Sequence, residues 1–230
     1  MSGYILHYAP DNASLIVRLA LEELGVPYRT ALVDRRSKAQ RSAAYLALNP
    51  AGRIPVLETP DGPIFETAAI LLWLADRHRN AADLAPETSD PLRGRLLSWL
   101  FYLSNTLHAD MRLLFYPPDL PGDTFPKNLH ERLADHFALL NAECAAGIVM
   151  GRANPMICDL YLAALLRWPA LYPTDGDRDW FDLSCWPALH ALAQRIEALP
   201  SAIAVAQAEG LGPTPFSNPQ LPNPPEGSAL

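Results

Sequence analysis

The chain has 230 residues, half of them hydrophobic, enough for one large domain or two small ones with a substantial core. Its net charge of −7 argues against a dedicated nucleic-acid binder, because phosphate contacts need clustered Lys and Arg. Charged residues make up 19 %, below the roughly 25 % of typical soluble domains, so an oligomer interface or an apolar groove is expected to cover part of the surface.

No segment approaches the roughly 20 apolar residues needed to cross a bilayer. The run Ala68 to Ala75 is the longest strong one. The first residues show no basic region leading into an apolar stretch, so no signal peptide is expected. Cys144, Cys158 and Cys185 are widely spaced and form no CxxC, which speaks against a disulfide framework and against a structural metal site. A cytoplasmic protein without a metal is the simplest expectation. The densest basic patch, Arg35-Arg36-Ser37-Lys38, reads as a solvated helix face.

In chain order, Tyr4 to Tyr8 is a β-prone run closed by the turn-rich Ala9-Pro10-Asp11-Asn12. Ser14 then opens a helix as its N-cap, with apolar residues at helical spacing up to Leu24 and a stop at Gly25. Val26 to Val33 contains a second strand. A helix from Ser42 to Leu48 stops before Asn49-Pro50-Ala51-Gly52. Ile54 to Thr59 alternates like a strand, Pro60-Asp61-Gly62-Pro63 turns, and Ile64-Phe65-Glu66 is a fourth strand. Thr67 to Arg79 is a helix with cationic residues at its C-terminal end, where they favour the helix dipole. The order is β-α-β-α-β-β-α.

Asn80 to Pro91 is polar, carries Pro86 and Pro91, and reads as a linker. Beyond it the pattern is helical: Leu92 to Phe115, Asn128 to Gly147, Met156 to Trp168 and Pro187 to Leu199. From Leu211 onward the chain is proline-rich, and an extended tail is expected, ordered only where it lies against the body. The expected organisation is residues 1–80, a linker 81–91, an all-α domain 92–210 and a tail 211–230.

The segment Asn49-Pro50-Ala51-Gly52-Arg53-Ile54-Pro55-Val56-Leu57, followed by Phe65-Glu66-Thr67-Ala68-Ala69-Ile70, resembles the glutathione-binding signature of cytosolic glutathione transferases. The likeness extends from Tyr4 to about Gly210, nearest to the bacterial beta class. It implies a thioredoxin-like α/β domain followed by an all-α domain, glutathione as co-substrate, a homodimer, and attack of the glutathione thiolate on a hydrophobic electrophile. Peroxidase, isomerase and lyase variants share the same first site, and a non-catalytic binding or assembly member is a further alternative.

By the same resemblance, Ile54-Pro55 is a cis bond whose strand edge pairs with the cysteinyl part of glutathione, with Arg53 beside it. Glu66 and Thr67, at a strand end and a helix start, take the γ-glutamyl ammonium and carboxylate. Thr67 as a plain helix cap is the bland alternative. A free thiol has a pKa near 8.5, and lowering it by about two units takes roughly 2.7 kcal/mol, so a donor is needed beside the sulfur. Ala13 and Ser14 stand where beta-class proteins carry a cysteine and a serine. Ser14 is therefore the first candidate activator, with Tyr8 and Asn12 behind it and a plain N-cap as Ser14's other reading. His108 matches a histidine that approaches glutathione in that class, or is structural. Arg112, Phe115 and Tyr116 follow on the same helix and line the second-substrate site or pack the core. Asn154 to Asp159 aligns with the family's capping box, with Met156 in place of the usual hydroxyl residue.

Overall fold

The structure, a computed structural model, describes residues 3–116 and 124–228. Met1, Ser2 and the last two residues of the expected tail lie outside the described residues. The chain divides into two compact units, one of Met1–Ala85, Ala198–Pro213 and Gln220–Leu230, the other of Pro86–Glu197 and Thr214–Pro219.

The first unit contains β1 (Tyr4–Tyr8), α1 (Ser14–Glu23), β2 (Tyr28–Leu32), α2 (Ala43–Leu48), β3 (Val56–Thr59), β4 (Gly62–Phe65) and α3 (Thr67–Arg77). This is the expected order. The sheet runs β2-β1-β3-β4, with β1 parallel to β2 and both β3 pairings antiparallel. The parallel pair needs a crossover, and α1 supplies it. Leu15, Ile16, Val17, Leu19, Ala20 and Leu21 of α1 are buried, as are Ile70, Leu71 and Leu74 of α3, which packs against it. Ser42 caps α2 by accepting the Tyr45 N–H at 3.2 Å. The α3 helix ends at Arg77, short of the expected Arg79, whose guanidinium instead donates to the Ala85 carbonyl at 2.9 Å.

Two local expectations need correction. The basic patch Arg35 to Lys38 is a turn, not a helix face. Asp34 organises it, accepting the Arg36 N–H at 2.9 Å with its side chain and the Ala39 N–H at 2.9 Å with its carbonyl. Ser14 is the first residue of α1, and Ala13 occupies the cap position without any side-chain cap.

In the second unit, α4 (Leu92–Tyr102) and α5 (His108–Phe115) replace the single helix expected over 92–115. A π-helical turn, Leu103–Leu107, joins them, with the His108 N–H donating to the Leu103 carbonyl five residues back. Next come α6 (Thr124–Ala146), α7 (Ile157–Arg167) and α8 (Pro187–Glu197). Every residue of α7 is buried, which its nearly all-apolar sequence requires. Asp159 secures its start: one carboxylate oxygen accepts the Met156 N–H at 2.8 Å and the other the Gly151 N–H at 2.8 Å. Asp159 thus supplies its side of the capping box, and burial pushes its carboxyl up to about 6 against the pull of those donors.

The last helix, α9 (Pro200–Glu209), lies beyond the expected helices and belongs to the first unit, not to the all-α domain assigned to 92–210. It packs on α1, and Ser201 donates to the Glu23 carboxylate at 2.5 Å. Proline at its first position and Gly210 just past its end (φ 66°) are the sequence signals for it. The following segment is also tied down. In the second unit, Glu197 accepts the N–H groups of Phe216 (3.2 Å) and Ser217 (3.0 Å), and the buried Arg167 donates to the Pro215 carbonyl at 3.0 Å. In the first unit, the Asn223 N–H donates to the Gly210 carbonyl at 2.8 Å, and a Cβ at Gly210 would collide with the Asn223 carbonyl oxygen. Among the described residues, no helix is long and apolar enough to cross a membrane.

Replacing Asp159 by Ala leaves two N–H groups without acceptors, and the expected cost is about 2–4 kcal/mol, read as a lower denaturant midpoint with unchanged slope. Asp159→Asn keeps one acceptor oxygen and is expected to recover part of that loss.

Candidate functional site

Strand register brings three separate segments to one end of the sheet. His7 pairs with Val56, and Val56 pairs with Phe65. The loop after β1, the Ile54-Pro55 turn before β3 and the start of α3 after β4 therefore lie side by side.

The Ile54-Pro55 bond is cis, as expected. Side chains hold the carbonyl of the preceding Arg53 from two directions: the Tyr45 hydroxyl and the Asn49 amide nitrogen each donate to it at 2.8 Å. Asn49 is 2 % exposed, and its amide oxygen also accepts the Ala51 N–H at 3.0 Å. Gly52 sits at φ 60°, where a Cβ would stand 2.9 Å from the Gln40 carbonyl oxygen, so only glycine fits. With Arg53 so held, neither the N–H nor the C=O of Ile54 has a partner among the described residues. A free donor and acceptor on one residue form a short strand edge. The Arg53 side chain is exposed.

Glu66 is the residue before α3, exposed, with φ 70°. A non-glycine residue at positive φ costs on the order of 1–3 kcal/mol and persists only where its surroundings over-determine it. Its side chain does not cap the helix. Thr67 is the first helical residue, 7 % exposed, and is not the cap. Among the described residues, the N–H groups of the first turn of α3 thus keep no side-chain acceptor, and they sit at the positive end of the helix dipole.

The loop after β1 disposes of its polar groups unevenly. Ser14, the leading candidate activator, is fully buried; its hydroxyl donates to the Ala9 carbonyl at 3.0 Å and accepts the Ala9 N–H at 3.3 Å. Its one proton is committed inward, so Ser14 ties the loop to the start of α1. Tyr8 is likewise buried, with the Glu226 carboxylate near its hydroxyl. Burial first, then the nearby Glu226 charge, push its phenol pKa up, while the Arg18 guanidinium 5.5 Å over the ring opposes this. Asn12 is different. It is half-buried, its amide oxygen accepts the Ala13 N–H at 2.9 Å, and its amide nitrogen has no partner among the described residues.

The remaining candidates belong to the second unit. The His108 ring bonds to the Tyr161 hydroxyl at 2.9 Å and lies 5.5 Å from Trp168. Phe115 meets Trp168 and Tyr172 edge-on, and the Arg112 guanidinium stacks 5.0 Å over the exposed Tyr116 ring. His108 and Phe115 thus join one aromatic cluster with Trp168, while Arg112 and Tyr116 form a pair nearer solvent. Tyr161, Trp168 and Tyr172 were not singled out from the sequence; long-range contacts alone reveal them. Tyr45 and Asn49 were missed for the same reason, although Asn49 opens the Asn-Pro-Ala-Gly stretch that marks the turn.

Sequence comparison agrees with this geometry. The profile described as the glutathione S-transferase N-terminal domain matches residues 13–77. A curated relative, glutathione S-transferase GstA of Escherichia coli O157:H7, is 30 % identical over 165 residues, covering 71 % of this chain and 81 % of the relative. Among solved structures, a sphingomonad glutathione S-transferase complexed with glutathione is 32 % identical with a TM-score of 0.75, covering 90 % of this chain and all of that one. A bacterial beta-class glutathione S-transferase from Sphingomonas chungbukensis is 30 % identical with a TM-score of 0.74, covering 90 % and 98 %. The chain belongs to the glutathione S-transferase family, and its fold is the thioredoxin-like α/β unit and helical unit of that family.

Asn49→Ala removes both Asn49 side-chain hydrogen bonds at once and leaves the Arg53 carbonyl with only the Tyr45 hydroxyl. The expected outcome is a loss of about 2–3 kcal/mol in unfolding free energy and faster amide exchange at Ala51, measured by denaturation and by hydrogen exchange.

Proposed function

We propose that the protein is a glutathione transferase, an enzyme that ionises the thiol of glutathione and directs the sulfur at an electrophilic carbon of an apolar second substrate. A carbon–sulfur bond forms and the leaving group departs with its electron pair. The observation that carries this reading is the unpaired backbone of Ile54 beside the uncapped start of α3, in a chain whose solved relative holds glutathione.

In this reading the Ile54 N–H and C=O pair with the cysteinyl residue of the tripeptide. The Thr67 hydroxyl and first-turn N–H groups receive the γ-glutamyl carboxylate, Glu66 takes the ammonium group, and Arg53 offers a cation to the far carboxylate. Asn12 is the group assigned to the sulfur, because its amide nitrogen is a donor with no partner among the described residues, the Ser14 proton goes to Ala9, and the Tyr8 phenol is buried with its pKa raised. Holding the thiolate and its target together supplies the main rate contribution. The aromatic cluster of His108, Phe115, Trp168 and Tyr172 is the surface assigned to the apolar substrate, with Arg112 and Tyr116 at its edge. A homodimer fits the family and the low charge content. The three free cysteines fit a cytoplasmic setting.

Two measurements test the reading. Retention on immobilised glutathione, weakened by Thr67→Val, tests the binding half. Ultraviolet titration of bound glutathione tests the chemical half: the thiolate band is expected with a midpoint well below about 8.5, and Asn12→Ala is expected to raise that midpoint by about one unit, the worth of one hydrogen bond to a charged group. A band unchanged in Asn12→Ala would remove Asn12 from the sulfur, and retention with no band at all would mark a binding protein that performs no chemistry.

A further inference from the structure

The loop that carries Asn12 is held from the opposite end of the chain. The Asp11 N–H, one residue before Asn12, donates to Glu209 Oε2 at 2.9 Å. Glu209 is the last residue of α9 and is fully buried. Its other oxygen lies 3.4 Å from the Arg18 guanidinium of α1. Arg18 in turn donates from Nε to the Tyr28 hydroxyl of β2 at 3.1 Å, and Tyr28 donates to Glu22 at 2.5 Å. The anchoring helix has little freedom to move, since Ser201 ties it to α1 and the packed Gly210–Asn223 crossing blocks its end.

Asp11 itself is buried with φ 49°, in the left-handed region where a non-glycine residue needs support from outside the loop. Glu209 supplies that support through the backbone, leaving the Asn12 side chain untouched.

We propose that Glu209 is a positioning residue for the reaction: by holding the Asp11 amide it sets where the Asn12 side chain stands relative to the glutathione sulfur. The assignment rests on the reading of Asn12 above. It goes beyond that reading because Glu209 is fully buried and lies outside every motif that marks the site.

Burying this carboxylate costs stability. The groups facing it are Asp11 from the loop and Arg18 from α1; Arg18 also meets the Tyr28 hydroxyl, which bonds Glu22, and lies over the Tyr8 ring, near which Glu226 stands. Burial, with some repulsion from Asp11, pushes the Glu209 carboxyl up to about 7, while the Asp11 amide and Arg18 pull it down. With the folded value raised, the native state is favoured by the proton, and this group's contribution to stability is lost as pH rises from about 4.5 through about 7.

The test uses the full chain with Glu209→Ala, Glu209→Asp and Glu209→Gln. Alanine removes the acceptor. Aspartate keeps the charge for Arg18 but falls short of the Asp11 amide, and serves where alanine does not fold. Glutamine keeps an acceptor for the amide. Expected for Ala, and more mildly for Asp, are a higher thiolate midpoint, kcat down by about tenfold as for a misplaced catalytic group, and a glutathione KM within about twofold of the parent. Amide exchange at Asp11 is expected to rise in both, and Gln is expected to restore kcat and exchange to near the parent. An Ala or Asp variant with the parent's midpoint and kcat, or a Gln variant as impaired as Ala, overturns the assignment alone. A parent that forms no thiolate overturns the catalytic reading and this assignment together.

Discussion

The pairing of Val56 with His7 on one side and Phe65 on the other is the constraint on which the candidate site depends. Side chains alternate along a strand, so a slip of one residue would turn the buried Val56 and Leu57 to the wrong faces. Burial of those two residues therefore locks the register. The same register sets the Ile54 edge, the strained Glu66 and the β1–α1 loop side by side. A hydrophobic decision in the sheet core thus determines the geometry of a polar site at its end.

Around that fixed frame, polar groups are either consumed by the fold or left over. Tyr45 and Asn49 both spend donors on the Arg53 carbonyl, and the backbone of the next residue, Ile54, has no partner among the described residues. Ser14 spends its proton on Ala9, Tyr8 is buried near Glu226, and Asn12 retains an amide nitrogen. Buried donors and acceptors must be satisfied or they cost stability, so the groups at the rim that escape this demand are those available to a ligand.

Much of the architecture was legible because it is local. The β1 run, the short helix after Ser42, the Asp159 reach to Met156 and the near-total apolarity of α7 each depend on residues a few positions apart. The cis bond at Pro55 was legible only through the motif around it. Other features misled. Arg35 to Lys38 looked like a charged helix face, yet Asp34 folds the segment into a turn through bonds of two to five residues' reach. The single helix over 92–115 is broken at Leu103–Leu107, where a π-helical turn shifts the helical phase without any proline or glycine to announce it. Helix α9 carried its own terminal signals in Pro200 and Gly210, but its membership of the first unit comes from packing on α1.

Composition, periodicity and one long motif were enough to determine the order of elements, the family and the three segments from which a glutathione site would be built. Which side chains in those segments remain free was decided only by the tertiary structure. Ser14 reads equally well as a cap or a donor until Ala9 is seen to occupy both sides of its hydroxyl, and Glu209 carries no signal until α9 is seen against the loop of Asp11. The physical reason is that a hydrogen bond is used once. Sequence lists the donors and acceptors, and only the folded chain, by closing separations as long as that from Asp11 to Glu209, decides which of them are already taken.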